Sequence, residues 1–250
     1  MGTVITVASG KGGTGKTSFC ANVAVSLCAL GEKVLLIDAD AGLRSLDIVL
    51  GMTDRLLFTY GDVIEGRAGL KEAAVAHPVV RSLRVLTAPG APKDYEPERY
   101  AALAARARAH FSFTLIDCSA GLGDSLLRFA AASDRAVVVS TPDQTALRSA
   151  QATALALAHA GQHECSIAVN RLRAGMIRRG DAATIDKAMD TSGLPLLGAV
   201  PEDERVIACG NRGEIMALSD FGPAAQAYLN IARRLQGRRV RLLQDVPGKY

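Results

Sequence analysis

The octet Gly10-Lys11-Gly12-Gly13-Thr14-Gly15-Lys16-Thr17 follows directly on the apolar run Thr3–Ala8 and opens a helix-like stretch, Ser18–Leu30. It fits G-x-x-x-x-G-K-[ST] in the strand, loop, helix context that the pattern requires. Each residue type has a physical reason. Glycines let the backbone curl so that successive N–H groups face one anion, and the helix start adds its positive end. Gly10, Lys11, Gly12, Gly13, Thr14, Gly15, Lys16, Thr17 and Ser18 are therefore the phosphate-side candidates. Lys16 is placed to reach β- and γ-phosphates, and the Thr17 hydroxyl to reach Mg²⁺.

The rest of the chain repeats the alternation of short apolar runs with longer helix-like segments. Thr3–Ala8, Lys33–Asp38, Arg84–Ala88, Phe113–Asp117, Arg135–Ser140, Ser166–Asn170 and Leu196–Val200 read as strands. They are continuously apolar rather than alternating, which suits strands covered on both faces. Lys16–Leu30, Glu96–Ala109, Asp124–Ala132, Pro142–Ala160, Asp181–Thr191 and Pro223–Leu235 read as helices, with Pro142 and Pro223 in the first turn, where proline is tolerated. The expected fold is α/β: a doubly wound, mostly parallel sheet of about seven strands with helices on both faces, its functional loops at the strands' carboxyl ends. No linker or repeat divides it. Residues 1–236 read as one domain and 237–250 as a short basic tail.

Two further loops carry acids. Asp38-Ala39-Asp40 ends the second strand, with carboxylates two apart on an extended segment near the glycine loop. A turn or helix-cap role is the alternative for this pair. Asp117-Cys118-Ser119-Ala120-Gly121 ends another strand.

Lys11, a second lysine inside the loop, is where the chain resembles the deviant Walker A motif of the ParA/MinD ATPases, a P-loop NTPase family. Asp38-x-Asp40 resembles that family's first switch, Asp117 to Gly121 its second, and Gly42-Leu43-Arg44-x-Leu46-Asp47 the MinD branch in particular. The resemblance spans residues 1 to about 240. It implies ATP and Mg²⁺ as ligands, Lys11 reaching across a homodimer to the other subunit's nucleotide, Lys16 on the phosphates, and Asp40 acting on the attacking water. Thr17, Asp38 and Asp117 would serve the metal. Asn170, Arg171, Pro201 and Asp203 resemble the adenine-side residues, although Asn170 can also serve as a turn or cap. The implied activity is ATP hydrolysis gated by dimerisation, acting in division-septum placement. The implied partners are a division inhibitor of the MinC type and a stimulating factor of the MinE type or a polar scaffold. A ParA-type DNA or cargo segregation ATPase is the alternative, and an iron–sulfur carrier ATPase a further rival.

Charge and cysteine content weigh on these rivals. Residues 233–250 carry five arginines and Lys249 against Asp245, or +5 of the net +4, so the first 232 residues sum to about −1. Such a body is no DNA-coating surface, and no sequence-specific nucleic acid is expected. The five cysteines (Cys20, Cys28, Cys118, Cys165, Cys209) form no CxxC pair, which speaks against an iron–sulfur or zinc site and for buried thiols in a reducing compartment. His159 and His163 stand four apart but are interrupted by Gly161, so a helix end is expected rather than a metal site. The chain opens on its first strand without a charged leader, and no apolar run approaches the ~18 residues that span a bilayer. A cytoplasmic location follows. The tail Arg238-Arg239-Val240-Arg241-Leu242-Leu243 offers basic attraction to an anionic membrane's inner face but few apolar anchors, so peripheral attachment there is weakened.

Overall fold

A computed structural model describes residues 1–250 except 42, 54, 220, 221 and 244–250. The elements run β1 (Thr3–Ala8), α1 (Lys16–Ala29), β2 (Val34–Asp38), α2 (Leu46–Val49), α3 (Tyr60–Ile64), α4 (Leu70–Ala73), β3 (Val75–Ala76), β4 (Leu83–Leu86), α5 (Pro97–His110), β5 (Phe113–Asp117) and α6 (Asp124–Ala132). They continue with β6 (Arg135–Ser140), α7 (Gln144–His159), β7 (Cys165–Leu172), α8 (Ala174–Arg179), α9 (Ile185–Ser192), β8 (Leu196–Pro201), α10 (Glu204–Asn211), α11 (Met216–Ser219) and α12 (Pro223–Leu235).

The strands form one sheet in the order β3-β4-β2-β5-β1-β6-β7-β8. All neighbours pair in parallel except β3, which runs antiparallel to β4. The expected seven strands are all present, and β3 makes an eighth. Successive residues of a strand face opposite sides, so β1 sends Val4 and Ala8 into one core and Ile5 and Val7 into the other. The first core is closed by α3, α4, α5, α6, α7 and α9, the second by α1, α10, α11 and α12. Burial on both faces explains why these strands are apolar throughout.

Pro223 opens α12 as expected, but Pro142 does not open α7. Asp143 takes the N-cap, its carboxylate accepting from the Ala146 N–H at 2.9 Å, and the helix starts one residue later. A side-chain acceptor at the cap satisfies an otherwise orphaned amide, which the proline ring cannot do. Chain direction reverses across β1, whose helix α1 leads to β2 on one side while β6 lies on the other. In open α/β sheets the ligand cleft forms beyond the strands' carboxyl ends at such a point. Among the described residues no helix is long and apolar enough to cross a membrane.

Candidate nucleotide site

The glycine loop leaves β1 at this crossover and enters α1 with Gly15 as N-cap in the left-handed region, φ 81°. The conformation and the space both exclude a side chain there: a Cβ on Gly15 would stand 2.6 Å from Asn170 Nδ2. The curled loop bounds a cavity of about 210 Å³ lined by Gly12 to Ser18, Asp40 and Ala120 among others.

Lys16 is buried beneath it and paired with Asp117 Oδ1. Burial alone would lower the Lys16 pKa, but the adjoining carboxylate outweighs it and holds the ammonium above the ordinary lysine value. Cys20, one turn along α1, points its thiol at the same oxygen, 3.6 Å away. Burial drives the Cys20 and Cys118 thiols upward, which makes both inert fillers as the sequence suggests. Cys165 is the one thiol that is only partly buried.

Asp38 and Asp117 are direct partners in the β2–β5 register. Burial first, and the charge of Asp117 second, push Asp38 up to about 7. The two acids of the first switch do not project side by side as an extended segment would place them. Asp38 Oδ1 accepts the Asp40 N–H at 2.9 Å and its Oδ2 the Leu46 N–H at 3.2 Å, so the chain turns directly after the strand. Asp38 is thus buried while Asp40 lines the cavity that the loop bounds. The second switch follows Asp117, where Gly121 at φ 95° returns its N–H to the Ser9 carbonyl.

Lys11 stands apart. It is absent from the lining of the 210 Å³ cavity and borders a neighbouring cavity of about 290 Å³. Its ammonium donates to Thr145 Oγ1 at 3.1 Å and lies 3.8 Å from Asp143 Oδ1, at the start of α7. Neither partner was singled out from sequence. The cap aspartate before α7 was the available signal, but nothing links it to a lysine 132 residues earlier.

A third cavity, about 250 Å³, adjoins the loop's other flank and is lined by Asn170, Arg171, Pro201, Asp203, Val206 and Tyr228 among others. All four residues expected on the adenine side meet there. Tyr228, and Arg173 outside this cavity, were not anticipated, whereas Glu202 stands between the expected Pro201 and Asp203. Glu202 binds Arg171 at 2.9 Å and also pairs with Arg173. His159 is exposed at the last position of α7, and no cluster of metal-ligating His, Cys, Asp and Glu exists among the described residues.

Comparison with known proteins agrees with this geometry. Residues 5–216 match the CobQ/CobB/MinD/ParA nucleotide binding domain. The septum site-determining protein MinD of Thermotoga maritima is 35% identical over 98% of this chain and 92% of its own, and that of Bacillus subtilis 35% over 97% and 92%. Among solved structures, the MinC:MinD cell division protein complex of Aquifex aeolicus superposes with a TM-score of 0.91 at 32% identity, covering 99% of this chain and all of that one. MinD of Pyrococcus horikoshii complexed with Mg-ADP reaches 0.81 at 28%, covering 94% and 96%. The chain belongs to the CobQ/CobB/MinD/ParA nucleotide-binding family and is a MinD-like ATPase.

Proposed function

We propose that the chain is an ATP-gated switch for division-septum placement, in which two copies pair loop to loop and hydrolysis separates them. The position of Lys11 carries this reading. It belongs to the phosphate loop yet does not border its own phosphate cavity, and it is half exposed, held by surface partners at the start of α7. A cation so placed can move to a second copy's nucleotide, where charge arriving in trans stabilises the transition state, as an arginine finger does.

Within one copy, the loop amides and Lys16 bind the phosphates, and Asp40 orients or deprotonates the attacking water. The residues also fit Mg²⁺. Asp38 and Asp117 are neighbours in the β2–β5 register, and Thr17 follows Lys16, the partner of Asp117, at the start of α1; all three offer hard oxygen donors of the kind that ion takes. Burial first and the charge of Asp117 second raise Asp38, a cost that a cation beside the two acids offsets. When bound, Mg²⁺ neutralises charge on the β- and γ-phosphates. The base occupies the cavity of Asn170, Pro201, Asp203 and Tyr228.

The Aquifex aeolicus complex supports a partner of the MinC type. A stimulating factor of the MinE type, or a polar scaffold, would complete the cycle. The working place is the cytoplasm, with the basic residues 233–241 favouring an anionic inner membrane surface.

Size-exclusion chromatography with ATP and Mg²⁺ tests the scheme. Lys11→Ala is expected to bind ATP and remain monomeric. Asp40→Ala is expected to persist as a dimer with turnover down at least ~100-fold. Normal dimerisation of Lys11→Ala would overturn the reading.

A further inference from the structure

Strand β7 carries a bulge beside the loop: between Val169 and Leu172 it takes three steps while β8 takes two, from Ala199 to Pro201. The extra residue falls at Asn170-Arg171, and Arg171 adopts φ 58°, a left-handed conformation that side chains rarely hold without compensation. In an unbroken strand these neighbours would point to opposite faces. Here both reach the glycine loop. Asn170 Nδ2 donates to the Thr14 carbonyl at 2.8 Å and Arg171 Nη1 to the Gly13 carbonyl at 3.2 Å. Glu202 backs the guanidinium with bonds of 3.1 and 2.9 Å from Nε and Nη2.

We infer that Asn170 and Arg171 are positioning residues that set the phosphate loop's amides for an incoming polyphosphate, a role that rests on the ATPase reading and adds to their place beside the base. A trans peptide is planar, so its C=O and the N–H across the same bond point in opposite directions. Drawing the Gly13 carbonyl toward Arg171 therefore turns the Thr14 N–H the other way, and drawing the Thr14 carbonyl toward Asn170 does the same for the Gly15 N–H. The two side chains line the base-side cavity but not the phosphate cavity, so the loop stands between them and the site of the anion. Neither amide meets an acceptor among the described residues. Bulges recur beside active sites because they re-aim side chains. Donors fixed before the anion arrives lose no binding energy to reorganisation.

The experiment separates phosphate from base. A fluorescent ATP analogue is displaced from the full chain by inorganic tripolyphosphate and, separately, by adenosine. Arg171→Ala is expected to raise the tripolyphosphate concentration needed about tenfold, the scale of one misdirected charge-side donor, and the adenosine concentration by a clearly smaller factor, since the side chain also borders the base-side cavity. Arg171→Gly removes the guanidinium without opposing φ 58° and must show the same split, which keeps the test valid if the alanine variant folds poorly. Glu202→Gln should move tripolyphosphate in the same direction by a smaller factor. Unchanged tripolyphosphate displacement in both Arg171 variants, or an equal loss for adenosine, overturns the inference. A wild-type chain that bound no nucleotide at all would instead refute the ATPase reading.

Discussion

Lys11 and Lys16 are the same residue type in one loop, five positions apart, yet their side chains are 51% and 8% exposed. Lys16 is sunk beneath the loop against a carboxylate that is itself 1% exposed, whereas Lys11 rests on a hydroxyl and a half-exposed aspartate. Coulomb attraction is screened at the rim and strong in the interior, and breaking a buried pair strands a charge that water cannot reach. The inner end of the loop is therefore built to stay put. The outer end is held by contacts cheap enough to exchange, which is what a cation that changes partners needs.

The sharpest way to break this contrast is Asp117→Ala, which leaves Lys16 buried without its partner. A loss of about 3–5 kcal/mol in nucleotide-free urea unfolding is expected. A loss below ~1 kcal/mol would mean that Asp38, beside Asp117 in the register, takes the ammonium over and that the two ends differ less than their exposures imply.

Gly15→Ala tests the same inner end through the backbone. A left-handed alanine costs roughly 1–2 kcal/mol, and its Cβ must also displace the Asn170 amide that would stand 2.6 Å away. About 2 kcal/mol of lost stability by the same measurement is expected, with weaker ATP binding by calorimetry. An unchanged unfolding midpoint would show that the loop relaxes freely at this point.

What could be read beforehand follows the same division between local and distant causes. The loop, the strands and α1 were legible because each rests on a contiguous pattern. The ends of β1, β5 and β6, and of α6 and α12, fall where the residues place them. Strand β3 was not legible, since two residues carry no period and Val75 and Ala76 are ordered only by β4. Helices α2, α3, α4 and α11 have four or five residues each, too few to display an amphipathic repeat. The four residues that resemblance puts on the adenine side meet in one cavity, but the grip of Asn170 and Arg171 on the Thr14 and Gly13 carbonyls depends on a bulge set by the register with β8. The Asp143–Lys11 contact likewise joins separate crossovers.

That contact gives the smallest effect. Burial alone would raise the Asp143 carboxyl, but bonds from Thr141, Thr145 and the Ala146 N–H, together with the charge of Lys11, bring it down to about 2. A carboxylate depressed in the folded state contributes stability above its ordinary value near 4, and the contribution fades as pH falls toward the folded value. The substitution Asp143→Asn keeps the helix cap, since asparagine caps as well as aspartate, but it removes the charge and replaces the oxygen that accepts from Thr141 by a donor. Wild type should therefore exceed Asp143→Asn by less than about 1 kcal/mol at pH 6, because both Asp143 and Lys11 are half in water. The gap in melting temperature should narrow steadily between pH 4 and about 2. A gap independent of pH would mean that the carboxylate's charge adds nothing at the rim. Lys11 would then be held by Thr145 alone, and the contrast with Lys16 would be one of hydrogen bonding rather than of screened against unscreened charge.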